Sequence, residues 1–442
     1  MTAPAEEVRR PLGAMERWYW ICDQISPLNV VARVRLAGRC PRADLARAAA
    51  GLALEHPLLR VAIAAEPDGT RPRFVAAPGG IPVRSVRSGQ YCAGRWEREV
   101  GDVELVTSVD WRTGPLARIV EVAHDDGHDL ILTVSHVIAD GTTALELLRR
   151  LVELAADPAA APRPRGALPP VEALLPGRVN GVPRPVRILA ALLADRIARA
   201  QARPRRLAPA VAVAPARRRT RLIRRELSAD RVAELAARCR LEGVTVHSAM
   251  SAAMAIAVAA LCPPNPRSVC VGAPVDFRTE LTHPVGRRDA GAYVATVPSY
   301  VRVGHPGGGL WAAARSAHRD LRRRRRLREH LALVSLLRLM SPRSAAASAR
   351  AVGFVDRAGP GNVCLSNLGR LDFPDRIGPW RLSGAQFIAG VSISGYLVAA
   401  VNTSHGALHW NFTHIDGAVP GAAAEQIADR AVSVLLSGLT RG

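Results

Sequence analysis

The residues with the most chemistry in the least space are His136-Val137-Ile138-Ala139-Asp140-Gly141, an H-x-x-x-D-G pattern in a chain of 442 residues. Imidazole is the side chain whose ordinary pKa lies nearest neutrality. Such a group can take a proton from an acceptor hydroxyl or amine and return it to a leaving group. The preceding residues, 129–134, are mostly apolar and partly β-branched, and the turn residues Asp125-Asp126-Gly127 bound them. They read as a buried strand. Residues 142–151 read as a helix: Thr143 and Glu146 have capping-box spacing, and Leu147, Leu148, Leu151 and Leu154 share one face. His136 therefore stands where a buried strand ends and a helix has not begun, a place where a rigid element can hold a reactive tip accessible.

Other candidates carry less. His124 and His128 have a metal-like spacing, but hairpin-turn residues lie between them, so a solvent-facing hairpin tip is expected and no metal. His56 precedes Pro57 and reads as a turn residue, whereas His414 is the alternative base if His136 is not one. Gly390-Val391-Ser392-Ile393-Ser394-Gly395 is the nearest approach to a nucleophilic-serine elbow and reads as strand and turn, which disfavours a serine hydrolase.

The seven cysteines, Cys92 among them, form no C-x-x-C pair, as expected of free thiols in a reducing cytoplasm. The first residues lack the basic and apolar regions of a signal peptide, and the most apolar window, 248–261, is too short to cross a bilayer. Every basic residue is arginine and the net charge is +22. Codon bias explains this more simply than a selected surface does, although an acidic carrier protein or CoA phosphates would suit the charge. The few aromatics are not interleaved with the arginines, so no nucleic-acid partner is expected.

The elements around the motif follow an α/β (α+β) order. Strands at 29–36, 73–76 and 83–86, a helix at 41–54 and the motif strand make an N-terminal lobe, 1–157. Residues 158–219 form an Ala/Arg/Pro-rich linker with one basic amphipathic helix, 186–202. That helix is expected to pack across the lobes; contact with a membrane surface is the other reading. A C-terminal lobe, 220–442, follows, with strands at 221–227, 267–274, 291–303, 362–366, 381–388, 396–403 and 408–413. Its helices are expected at 230–241, 246–261, 310–340 and 422–436, with Arg322 to Arg326 as a solvated face.

The motif, together with His56-Pro57-Leu58-Leu59-Arg60, Gly114-Pro115-Leu116-Ala117-Arg118, Val275-Asp276-Phe277-Arg278 and Leu365-Ser366-Asn367-Leu368-Gly369, resembles the condensation-domain and chloramphenicol-acetyltransferase-like acyltransferases over nearly the whole chain. Many members carry a second His before the first. Ser135 stands there here, and the plant-type branch also lacks that His. The resemblance implies two such lobes, each a mixed sheet flanked by helices, with the active-site tunnel between them. It implies His136 as base, and Asp140 turned away from it to pair with Arg278 of the other lobe. Gly141 would allow a tight turn and offer a backbone N–H, and Ser135, Ser366 and Asn367 would border the tunnel or the oxyanion. The activity implied is transfer of an acyl group from CoA or a phosphopantetheinyl carrier protein to a small alcohol or amine, ester formation ahead of amide, in lipid or natural-product biosynthesis. No permanently bound cofactor and no metal are implied. Two other classes stay open: a catalytically silent domain that docks carrier proteins, suggested by Ser135, and a polyanion-binding protein, suggested by charge alone.

Overall fold

The computed structural model describes residues 7–87, 94–179, 181–262, 266–283, 285–304 and 309–440, so Cys92 lies outside the described residues. Among the described residues the strands form two six-stranded sheets and two small ribbons. The first sheet runs Arg376–Ile377, Trp380–Ala389, Asn29–Ala37, Gly127–Ser135, Ala117–His124, Val83–Arg87. The second runs Val294–Arg302, Ser268–Asp276, Val363–Arg370, Leu397–Ser404, Ala407–Ile415, Thr220–Leu227. Each mixes parallel and antiparallel pairs: Val83–Arg87 is parallel to Ala117–His124, and Val363–Arg370 to both Ser268–Asp276 and Leu397–Ser404.

Residues 376–389 belong to the first sheet although they lie deep in the stretch expected to form the C-terminal lobe. Trp380–Ala389 pairs antiparallel with Asn29–Ala37, which pairs in turn with the motif strand from Asn29 opposite Ser135 to Ala37 opposite Gly127. The second half of the chain thus lends two strands to the first sheet, and the two halves of the chain are joined by main-chain hydrogen bonds as well as by side chains.

The motif strand is apolar on both sides because both are covered. Leu130, Leu132 and Val134 pack in one core with Leu147, Leu148 and Leu151 of helix Gly141–Ala156. Ile131 packs in another with Trp96 and Val100. The sequence expected one helix over 310–340. The structure breaks it into Leu310–Arg326 and Glu329–Met340 at Arg328, whose φ is +51°. Arg324 in that stretch is fully buried rather than part of a solvated face. It meets Asp320, Asp195 and Glu329, at 2.9, 2.9 and 2.5 Å. His124 and His128 are not solvent-facing: they lie 2.7 and 2.8 Å from the Asp129 and Glu121 carboxylates.

Candidate active site

His136 follows the last residue of the motif strand, and its N–H donates to Leu28 O, which holds the strand end in place. Its ring lies on the wall of a cavity of about 590 Å³ between the sheets, lined from one side by Leu28, Phe387 and Ala389 and from the other by Thr296, Cys364 and Val398. The Tyr19 ring stacks on the imidazole, 4.2 Å between centroids and 12° between planes. Tyr19 comes from helix Ala14–Ile25, where Trp18 and Cys22 also line the cavity and Trp20 packs edge-on against Trp111. The Trp18-Tyr19-Trp20 cluster therefore divides between lining and packing. Nδ1 of His136 is buried without a hydrogen-bond partner, which leaves Nε2 as the nitrogen available to a substrate.

Burial pushes the His136 pKa below its ordinary value, against the opposing pull of the Asp140 charge and of the His136 and Ala139 backbone. The ring is thereby neutral, able to accept a proton, over a wider pH range than a free imidazole. Burial also pushes the Tyr19 phenol up, so the stacking partner stays uncharged.

Asp140 is turned away from His136. Its two oxygens lie 2.7 and 2.8 Å from Nη2 of Arg278, and they accept N–H hydrogen bonds from Thr143 and Tyr293, both at 2.9 Å. Burial alone would raise the carboxyl pKa; Arg278 and these backbone donors outweigh it and hold it below the usual carboxylate range. Arg278 also donates to Thr143 Oγ1 at 2.8 Å and to Asp276 at 2.6 Å, and its guanidinium lies over the Tyr293 ring. Thr143 Oγ1 donates onward to Gly291 O. The carboxylate is thus the N-cap of helix Gly141–Ala156 and one half of a buried cross-lobe ion pair. The capping-box spacing of Thr143 and Glu146 is not used as such: the cap is Asp140, three residues before Thr143.

Gly141 is needed for space, not for a left-handed turn. A Cβ there would come within 2.7 Å of the Phe387 ring and 3.2 Å of Leu368. Gly141 and Thr142 line the cavity at the helix N-terminus, where the first N–H groups have no partner within the helix. Ser366 and Asn367 also line the cavity, and the Asn367 carboxamide oxygen accepts from Gly369 N. Ser135 is not part of the lining. It is buried and its hydroxyl accepts from Val137 N, because successive residues of a strand project to opposite sides. His414 does not line the cavity either; its Nδ1 lies 2.8 Å from Val419 O in a strand of the second sheet. Among the described residues no cluster of His, Cys, Asp and Glu could hold a metal.

Sequence reasoning missed Tyr19 as the stacking partner of His136, and Tyr293 and Phe387 as groups that hold the helix start from two sides. The aromatic run at 18–20 was the one available signal.

Two mixed sheets meeting at a cavity, with a histidine at the end of a central strand, define the fold of the condensation-domain and chloramphenicol-acetyltransferase-like acyltransferases. Solved structures agree over nearly full length. Trichothecene 15-O-acetyltransferase from Fusarium sporotrichioides superposes with a TM-score of 0.74 at 14% identity, covering 97% of this chain and 95% of its own. Polyketide synthase associated protein 5 from Mycobacterium tuberculosis gives 0.63 at 19%, covering 98% and 99%. The starter condensation domain of rhizomide synthetase, solved with C8-CoA, gives 0.67 at 15%, covering 98% and 95%. Residues 216–406 match the family model described as phthiocerol/phthiodiolone dimycocerosyl transferase C-terminus. Mitochondrial sulfite oxidases of Rattus norvegicus and Homo sapiens are 30% identical over 145 residues, but the match spans only 24% of their length and 27% of this chain. Over so short a stretch neither their fold nor their activity carries to this protein.

Proposed function

We propose that this chain transfers an acyl group from a CoA or carrier-protein thioester to the hydroxyl or amine of a small acceptor, in lipid or natural-product biosynthesis within the cytoplasm, with His136 as general base. The observation that carries the reading is a neutral, stacked imidazole on the wall of a cavity between the lobes. The acceptor oxygen or nitrogen attacks the thioester carbonyl while Nε2 takes its proton. The C–S bond of the tetrahedral intermediate then breaks, and the imidazolium returns the proton to the thiolate. The oxyanion meets the free N–H groups at the helix start, Gly141 and Thr142, with Ser366 beside them. No acyl-enzyme is needed because the thioester arrives activated. Ester formation is expected ahead of amide formation. The match of residues 216–406 to a transferase family model and the C8-CoA complex of a protein of the same fold support a thioester donor.

The test is single-turnover transfer from labelled acyl-CoAs and acyl-carriers to pooled alcohols and amines, beside a thermal melt. His136→Ala should retain the fold and lose turnover by about 10²–10⁴-fold, the range for a general base. Ser135→Ala should lose far less, since Ser135 is outside the cavity. Full turnover in folded His136→Ala overturns the mechanism, and carrier binding without turnover in the parent favours the silent docking reading.

A further inference from the structure

Helix Arg184–Ala202 is mounted with its polar side inward. Asp195, its one acidic residue, lies 2.9 Å from both the buried Arg324 guanidinium and the Tyr300 hydroxyl. Arg323 donates to Ala194 O, Ser268 to Ala202 O, and Ala191 is the helix's one buried side chain. Arg184 and Arg187 reach back to Leu175 O and Pro176 O. The opposite side carries Val186, Leu189, Leu192, Leu193 and Ile197, each 46–58% exposed. At 100° per residue these five fall on one arc, against the usual rule that the apolar stripe of a surface helix faces the core. With Val182 in the short ribbon just before the helix, this stretch holds six of the thirteen large apolar side chains exposed among the described residues. The helix was expected to pack across the lobes; its apolar side instead stays exposed.

Charge selects the occupant of this face. Residues 184–206 contain seven arginines and one carboxylate, Asp195, which is turned inward. Arg196 stands exposed within the apolar arc, where its long stem can lie along an apolar layer while the guanidinium reaches its boundary. A second copy of this chain seated on the same face would set arginine against arginine with no acid to answer it. An anionic phospholipid surface offers acyl chains to the leucines and phosphates to the arginines. The helix, about 28 Å long at 1.5 Å per residue, has the form of one lying in the plane of such an interface. No single helix among the described residues is long and apolar enough to cross a membrane, so contact through this face would be peripheral. We infer that helix Arg184–Ala202 docks the protein on anionic membrane surfaces through its outward Val186/Leu189/Leu193/Ile197 face. This inference stands independently of the acyl-transfer reading.

The test is co-sedimentation of the full chain with sucrose-loaded vesicles, either phosphatidylcholine alone or equimolar phosphatidylcholine and phosphatidylglycerol. Hydrogen exchange of the bound chain and light scattering of the free chain accompany it. The parent should sediment with the anionic vesicles and far less with the neutral ones, with new exchange protection confined to 184–202. Leu189→Gln/Leu193→Gln/Ile197→Gln should weaken partitioning by about tenfold or more. Its melting temperature should not change, because these side chains are already exposed. Three results would overturn the inference: no sedimentation of the parent at low salt; binding that survives the triple substitution, which means charge elsewhere suffices; or a parental dimer that the triple substitution dissociates, which makes the face an interface between copies.

Discussion

Replacing Asp140 by Asn separates a positioning role from a chemical one. The carboxylate is 5% exposed in its side chain, and each oxygen faces two donors: Arg278 Nη2 and Thr143 N on Oδ1, Arg278 Nη2 and Tyr293 N on Oδ2. Asn has one acceptor oxygen, so in either orientation its NH₂ meets two N–H donors. It also removes the buried charge opposite Arg278, leaving Asp276, half-exposed at 2.6 Å, as the remaining counterion. Breaking one side of a buried pair of this kind costs about 3–5 kcal/mol. For a chain this size that is a fall in melting temperature of about 3–5 °C. Turnover should fall with stability, because the loop that ends in this cap begins at His136. The assay is chemical denaturation and transfer activity of Asp140→Asn, Arg278→Met and the double variant. The double variant should be more stable than the sum of the singles predicts, by about 2–3 kcal/mol, since the second change removes the charge the first left unpaired. Unchanged melting with abolished turnover would place Asp140 in the chemistry, and strict additivity would show that the pair is not coupled.

The remaining predictions rest on other charges. Because burial depresses the His136 pKa, kcat/KM should rise with pH through a midpoint below the ordinary histidine value of about 6.5 and stay flat above it. A pH–rate profile whose ascending limb has its midpoint above 7 would contradict this. Asp140→Asn removes a charge that favours the imidazolium, so its residual activity should show a midpoint lower still. In the arginine run, Arg322, Arg325 and Arg326 are exposed and Arg324 is not. Changing the three exposed ones to Gln should raise KM for a carrier-bound donor at low salt and little at high salt, with stability unchanged. Arg324→Met should instead destabilise by about 3–5 kcal/mol, because Asp195, Asp320 and Glu329 lose their shared cation. Steady-state kinetics at two ionic strengths and thermal melts check both.

What could be read in the sequence was local. The motif strand, its turn and the following helix are signalled by apolar runs and turn residues, so the place of His136 at a strand end follows from neighbours within about one turn. The other expected helices and strands agree within a few residues for the same reason, except that the single helix expected over 310–340 is two, and helices Ala14–Ile25 and Ala349–Ala358 were not expected. What could not be read depends on partners distant in the chain. Trp380–Ala389 has an ordinary strand pattern, and nothing in that pattern says it pairs with Asn29–Ala37. Gly141 looks like a turn glycine until Phe387 is seen against it. Five arginines in a row look solvated, yet helical rotation turns Arg324 into three carboxylates. The helix at 184–202 was recognisably amphipathic. Which side it turns inward is decided by Arg324 and Tyr300 holding Asp195, and no periodicity contains that.

The start of helix Gly141–Ala156 is held from two directions by the second half of the chain. On one side Arg278 and the Tyr293 backbone grip the Asp140 cap. On the other, the crossover strand sets Phe387 so close to Gly141 that no side chain fits between them. The motif strand itself is tied to that crossover strand through Asn29–Ala37. His136 lies between these fixtures, its ring stacked on Tyr19 from the N-terminal helix. The position of the imidazole is therefore a property of the seam and not of either sheet alone. A motion that opened the cavity by parting the sheets would have to break the buried Asp140–Arg278 pair or withdraw Phe387. Substrates are consequently expected to enter a seam that stays closed around His136, with the wider parts of the cavity yielding instead.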